Sequence, residues 1–83
     1  MAEVLRLTLY SRRHCHLCHE MQAAVEALRA ESPFELEIRD VDSEPALLFR
    51  FNELVPVLAH GEHELARYRL DASALRAYLS QIR

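Results

Sequence analysis

The chain has 83 residues, 51% of them hydrophobic, which makes one small domain with a single modest core. Its net charge of −3 excludes the basic character of a general nucleic-acid binder. No apolar run approaches the ~20 residues that cross a bilayer, and Glu3 and Arg6 interrupt the first apolar stretch too early for a signal peptide.

Residues 4–10 alternate with period two, Leu5, Leu7 and Leu9 on one face and Arg6 and Thr8 on the other, which predicts a strand. From Cys15 the period changes. Leu17, Met21, Ala24, Val25 and Leu28 form one stripe of a helix ending near Glu31, stopped by Ser32-Pro33. Residues 34–39 alternate so strictly that one face is wet, the pattern of an edge strand. Asp42-Ser43-Glu44-Pro45 reads as a helix start, with an N-cap candidate, acid in the first turn and an early proline. That helix carries Leu47, Leu48, Phe49 and Phe51, both phenylalanines assigned to the core, and fades near Asn52. Residues 55–59 form an apolar strand with Pro56 at its start, because proline cannot donate to a ladder. His60-Gly61-Glu62-His63 holds the only glycine and predicts a hairpin turn, with both histidines as turn residues. A weak return strand covers 64–69, where Arg67 and Arg69 blunt an exposed edge. Asp71 then caps a last helix bearing Leu75, Tyr78, Leu79 and Ile82 at i, i+3, i+4 and i+7. The order is β-α-β-α-β-β-α, an α/β domain with a four-stranded mixed sheet flanked by helices. A right-handed first crossover makes its first two strands parallel.

Chemistry concentrates between the first strand and the first helix, at Arg12-Arg13-His14-Cys15-His16-Leu17-Cys18-His19. Two cysteines separated by two residues serve either as a redox pair or as half of a zinc site. The expected location is the cytoplasm, where such a pair is catalytic or metal-binding more often than a structural staple. Cys15 falls in the first helical turn, where unpaired N–H groups and the positive dipole end favour an anion. A thiolate there has a lowered pKa and becomes a nucleophile near neutral pH. Cys18, one turn further in, is placed to resolve a mixed disulfide. His14 and His16 flank the nucleophile and tune it further when protonated. A zinc site would draw on Cys15, Cys18, His60 and His63, which are ligands of the right types. The histidine spacing is short for such a site, however, and the turn lies at the far end of the predicted sheet. No metal ligands are therefore assigned.

With this order in hand, the whole chain resembles the thioredoxin fold and, within it, a small glutaredoxin-like family. The resemblance is carried by Tyr10-Ser11 ending the first strand and Cys15-His16-Leu17-Cys18 opening the first helix. Val55-Pro56 at the third strand and Asp71 at the last helix complete it. It implies a thiol–disulfide oxidoreductase in which Cys15 attacks and Cys18 resolves, with no bound cofactor. The implied partners are protein or small-molecule thiols and disulfides, met by a monomer away from membranes and nucleic acids. The resemblance also implies a cis bond at Val55-Pro56 beside the thiols, Pro56 shaping the cleft and Val55 lending backbone to the substrate. Arg12 and Asp71 match two charged positions that grip glutathione in relatives, which completes the substrate-binding set. Three departures stand out: His16-Leu17 between the cysteines with no proline, Leu54 in place of a threonine, and no Gly-Gly step between Ala66 and Leu70. Glutathione is accordingly expected as a weak co-substrate. Two other classes stay in play: a redox-silent binding or adaptor module that keeps the fold, and a metal-binding domain.

Overall fold

The computed structural model of the protein describes residues 5–82. The first alternating stretch becomes β1 (Arg6–Ser11), whose Leu7 and Leu9 are fully buried while Arg6 is exposed. Val4, the expected first residue of that strand, lies outside the described residues. β2 (Glu35–Asp40) runs parallel to β1, with Leu9 opposite Ile38. β3 (Val57–His60) pairs antiparallel with β1 on its other side, and β4 (His63–Arg67) antiparallel with β3. The sheet order is therefore β2-β1-β3-β4, mixed, with β2 and β4 as its edges.

α1 (His16–Glu31) links β1 to β2, and its stripe Met21, Val25 and Leu28 is buried. A 3-10 turn (Val41–Ser43) and α2 (Pro45–Phe51) lead from β2 to β3, and α3 (Ala72–Gln81) closes the chain. Successive strand residues point to opposite faces, and two clusters follow from that. Leu7, Leu9 and Leu58 meet Met21, Val25 and Leu28 of α1 and Leu75 and Leu79 of α3 on one face. On the other face, Val57 meets Val41, Phe51 and, around them, Tyr10 and Leu47. Helices α1 and α3 thus cover one side of the sheet and α2 the other.

Several sequence-based expectations are corrected. Phe49 is not in the core: its side chain is 94% exposed, whereas Phe51 is buried and stacks on Tyr10 at 4.3 Å. Two residues at ~100° each place these rings about 200° apart on a helix, so one packed face cannot hold both. The expected side-chain cap and first-turn acid of α2 are not formed. Asp40 caps the 3-10 turn by accepting from the Asp42 N–H, and Glu44 stands at the α2 N-cap with its carboxylate turned to Arg39 rather than to the helix N–H groups. β3 starts at Val57 rather than residue 55, and β4 ends at Arg67 rather than residue 69. The hairpin turn forms where expected, with Gly61-Glu62 at its tip and His60 and His63 as the cross-strand pair that closes it. His60 Nδ1 lies 2.6 Å from the Tyr78 hydroxyl and the His63 ring stacks on Tyr78, tying the hairpin to α3. Ile82 lies beyond the last helical residue and is 42% exposed.

Candidate active site

β1 delivers the chain to the site and α1 receives it. After Ser11, the segment Arg12–His14 turns, and Cys15 takes extended dihedrals (φ −131°, ψ 108°) as the N-cap of α1. Its Sγ accepts the backbone N–H of Cys18 at 3.1 Å, the bond that a serine or aspartate cap would make. Cys18 is one turn inside and 1% exposed, while Cys15 is only partly buried. The two form a disulfide, with Cα atoms 5.1 Å apart. No acidic residue occupies the first turn of α1, so nothing there opposes the positive end of the helix.

The segment leading into β3 comes next to the cysteine turn. The Val55–Pro56 peptide bond is cis, and Pro56 is fully buried. Val57 pairs with Tyr10, which sets Pro56 beside the end of β1, from which the cysteine turn departs. Val55 makes no hydrogen bond through its backbone to another described residue, and it is only partly buried. Register also settles where the histidine pair stands. Thr8 is opposite Ala59, so His60 and His63 lie about three residues, or roughly 10 Å, along β3 away from the Val57 level. The hairpin histidines and the cysteines therefore sit at opposite ends of the sheet.

Arg12 donates through Nε to Asp42 at 2.9 Å and through a terminal nitrogen to Asn52 at 2.7 Å. Three of its five N–H donors stay uncommitted, enough to meet a carboxylate at the rim. The same bonds pin the cysteine turn to the 3-10 turn and to the end of α2. His14 is exposed, and His16 points to Glu20 at 3.3 Å on the outer surface rather than over the disulfide. Asp71 caps α3 by accepting the Ala74 N–H at 3.1 Å, leaving its second oxygen free of that duty. Arg67 pairs with Glu64, and the hydrogen bond raises its already high pKa. Arg39 is raised in the same way by Glu44. Both cations stay charged wherever a thiol titrates. Replacing Asp71 with alanine should cost about 1 kcal/mol through the lost cap. In a domain this small, that lowers Tm by roughly 4–8 °C, read by thermal melting, with the cysteine alkylation rate unchanged. A drop in that rate would instead tie Asp71 to the reactivity of the thiol itself.

The stretch between β4 and α3 holds a residue that the sequence did not single out. Tyr68 takes φ +66°, in the left-handed region, although no glycine is present there. The Arg69 N–H closes onto the Arg67 carbonyl at 2.7 Å, so Tyr68 is the centre of a tight three-residue turn. The turn lies in the stretch between Ala66 and Leu70 that lacks a Gly-Gly step, with a tyrosine at its centre. A tyrosine carries no sequence signal for that conformation, which normally favours glycine or asparagine.

The comparisons with known proteins fit this geometry. The model of the family described as Glutaredoxin-like domain (DUF836) matches residues 6–80. The chain belongs to that family. Protein Ne2328 from Nitrosomonas europaea, a solution NMR structure, is 39% identical, with a TM-score of 0.78 over 94% of each chain. Protein XcR50 from X. campestris is 35% identical, with a TM-score of 0.67 over 90% of this chain and 96% of that one. Thioredoxin 1 from Thermosipho africanus, at 16% identity, shares the fold alone, with a TM-score of 0.65 over 94% and 98% of the two chains. No curated protein matches the sequence. The glutaredoxin-like domain therefore has a thioredoxin-type fold with a Cys-x-x-Cys pair opening its first helix. Among its described residues, no helix is long and apolar enough to cross a membrane.

Proposed function

We propose that this glutaredoxin-like domain is a thiol–disulfide oxidoreductase, with Cys15 as nucleophile and Cys18 as resolving thiol. The observation that carries the reading is the inequality of the two sulfurs. Cys15 Sγ is partly exposed and already accepts a helix N-terminal N–H, while Cys18 is buried one turn below it. In the reduced protein the same N–H donates to the Cys15 thiolate, and a hydrogen bond to a charged acceptor is about twice as strong as a neutral one. Thiolate formation at Cys15 is favoured for that reason, and the helix end adds to it. His14 and His16 contribute positive charge when protonated, a smaller effect because His16 faces Glu20.

The reaction balances as a two-electron exchange. The Cys15 thiolate attacks a substrate disulfide, forms a mixed disulfide and expels one substrate thiolate, which takes a proton from solvent. Cys18, losing its own proton, attacks Cys15 Sγ and releases the second substrate thiol. The protein is left oxidised at Cys15–Cys18, and an external thiol reduces it again. Val55 supports binding of an extended substrate, because its backbone groups are unengaged and can pair with a strand laid along them. Arg12 and Asp71 serve a substrate carboxylate and amino group at the rim, and Pro56 holds the floor. Glutathione is a weak co-substrate, proteins and other larger thiols are preferred, no cofactor is held, and a reducing cytoplasmic compartment suits the monomeric dithiol form.

Alkylation of the reduced protein at neutral pH tests this reading. Cys15 should be labelled first, with a pKa below the free value of about 8.5, and the couple should equilibrate with a glutathione redox buffer. Equal, slow labelling of both thiols, with no equilibration, would remove the redox reading and leave a binding module.

A further inference from the structure

Tyr68 stands where three segments of the site meet. Its backbone N–H donates to the Pro56 carbonyl at 2.8 Å, and its hydroxyl donates to the Glu53 carbonyl at 3.1 Å. The side chain therefore reaches along the loop that precedes Val55 and Pro56. On its other side it lines a groove of about 470 Å³ with Glu20, Ala23 and Ala24 of α1 and with Arg69 and Leu70. Its α1 wall, from Glu20 to Ala24, belongs to the helix that Cys15 caps. Despite two hydrogen bonds, 42% of Tyr68 remains exposed.

The loop's chemistry tells what it repels and what it accepts. The N–H groups of Tyr68 and Arg69 are both spent, on the Pro56 and Arg67 carbonyls. Neither is left to donate to a substrate carboxylate. The groove is largely apolar, from Ala23, Ala24, Leu70 and the phenol, and Glu20 and Arg69 bring one charge of each sign. An extended polypeptide needs no such donor. It can hydrogen-bond along Val55 and lay one apolar side chain against the Tyr68 ring.

We propose that Tyr68 is a specificity-determining residue that closes this flank of the cysteine cleft to small charged thiols and offers polypeptide thiols an aromatic wall. The inference rests on the oxidoreductase reading and deepens it by naming the residue that selects the partner. Tyr68→Gly is the direct variant, because glycine adopts φ +66° without cost and keeps both N–H bonds. The reduced protein is assayed with glutathione disulfide and, separately, with an unstructured peptide disulfide. In each reaction one substrate disulfide becomes two thiols as the protein dithiol becomes Cys15–Cys18.

Removing a ring from a binding wall shifts discrimination by about tenfold or more. Tyr68→Gly should therefore raise kcat/KM for glutathione disulfide about tenfold, through KM, while the peptide value falls or holds. Tyr68→Phe keeps the ring and loses only the bond to Glu53, so its ratio of the two substrates should stay near that of the unaltered protein. A Tyr68→Gly protein that melts cooperatively and keeps the original ratio overturns the assignment, as does a Tyr68→Phe protein that shifts it as far as Tyr68→Gly. If the unaltered protein exchanges neither disulfide, the oxidoreductase reading falls and this inference falls with it. If it exchanges both and only the ratio is unmoved, Tyr68 alone is wrong.

Discussion

Replacing Cys15 with serine should abolish disulfide reduction, down to the uncatalysed rate, while Cys18→Ser should stall the reaction at a mixed disulfide. The two outcomes differ because the sulfurs do different work. Cys15 is the accessible one and carries the helix cap, so without it no thiolate is presented to a substrate. A serine hydroxyl fills the cap equally well, so the variant should keep its fold and lose only its chemistry. Cys18 is 1% exposed and meets no substrate directly. Its reach is limited to the neighbouring sulfur, with the Cα atoms 5.1 Å apart. In Cys18→Ser the first attack still proceeds, yet no second thiol follows, and the adduct accumulates. Mass spectrometry after mixing each reduced variant with a peptide disulfide reads both results. Turnover surviving in Cys15→Ser, or an adduct found on Cys18 of that variant, would reverse the assignment of roles.

Leu9→Ala should be the most damaging single truncation on the sheet, destabilising by roughly 2–5 kcal/mol. Leu9 is fully buried at the middle of the central strand, flanked by Ile38 of β2 and Leu58 of β3. It packs in the cluster that joins both α1 and α3 to the sheet. Net stabilities of domains are about 5–15 kcal/mol, so the loss is a large share for a chain of this size. The neighbouring Ile38 gives the internal comparison. It is on the same face and in register with Leu9, but at the sheet edge and 44% exposed. Ile38→Ala should cost about 1 kcal/mol or less, as half-exposed surface truncations do. Urea unfolding of the two variants measures the contrast, and equal midpoints would mean that β2 is covered by something beyond this domain. Because β1 also positions the cysteine turn, Leu9→Ala should additionally speed alkylation of Cys18 by raising the open population.

Much of this molecule was legible in the chain because its signals are short-range. Period two in residues 4–10 and a 3.6-residue stripe from Leu17 to Leu28 place β1 and α1, and hence the cysteines at a helix start. Asp71 reads as a cap from its type and position alone, and it does cap α3. The order of elements, with one parallel crossover and a hairpin, then leaves few sheets to choose from. Local periodicity and capping depend on neighbours within a turn or two, and the sequence lays those neighbours side by side.

What the chain concealed is set by partners far apart in sequence. Leu47, Leu48, Phe49 and Phe51 are all apolar, and only packing against Val57 and Tyr10 chose Phe51 for the core and left Phe49 outside. Arg12 reads as a free rim cation, yet Asp42 and Asn52, thirty and forty residues away, hold it. His60 and His63 read as the ends of a turn, as they are, but nothing local shows that Tyr78 of α3 meets them both. Tyr68 is the sharpest case. Its left-handed backbone is disfavoured locally and is fixed by hydrogen bonds to Pro56 and Glu53, so no window of sequence around it contains the cause. The sequence by itself determined the elements, their order and the placement of the cysteine pair. Tertiary structure decided which side chains those elements turn toward one another, because burial and long-range hydrogen bonds override local preference once the sheet has closed.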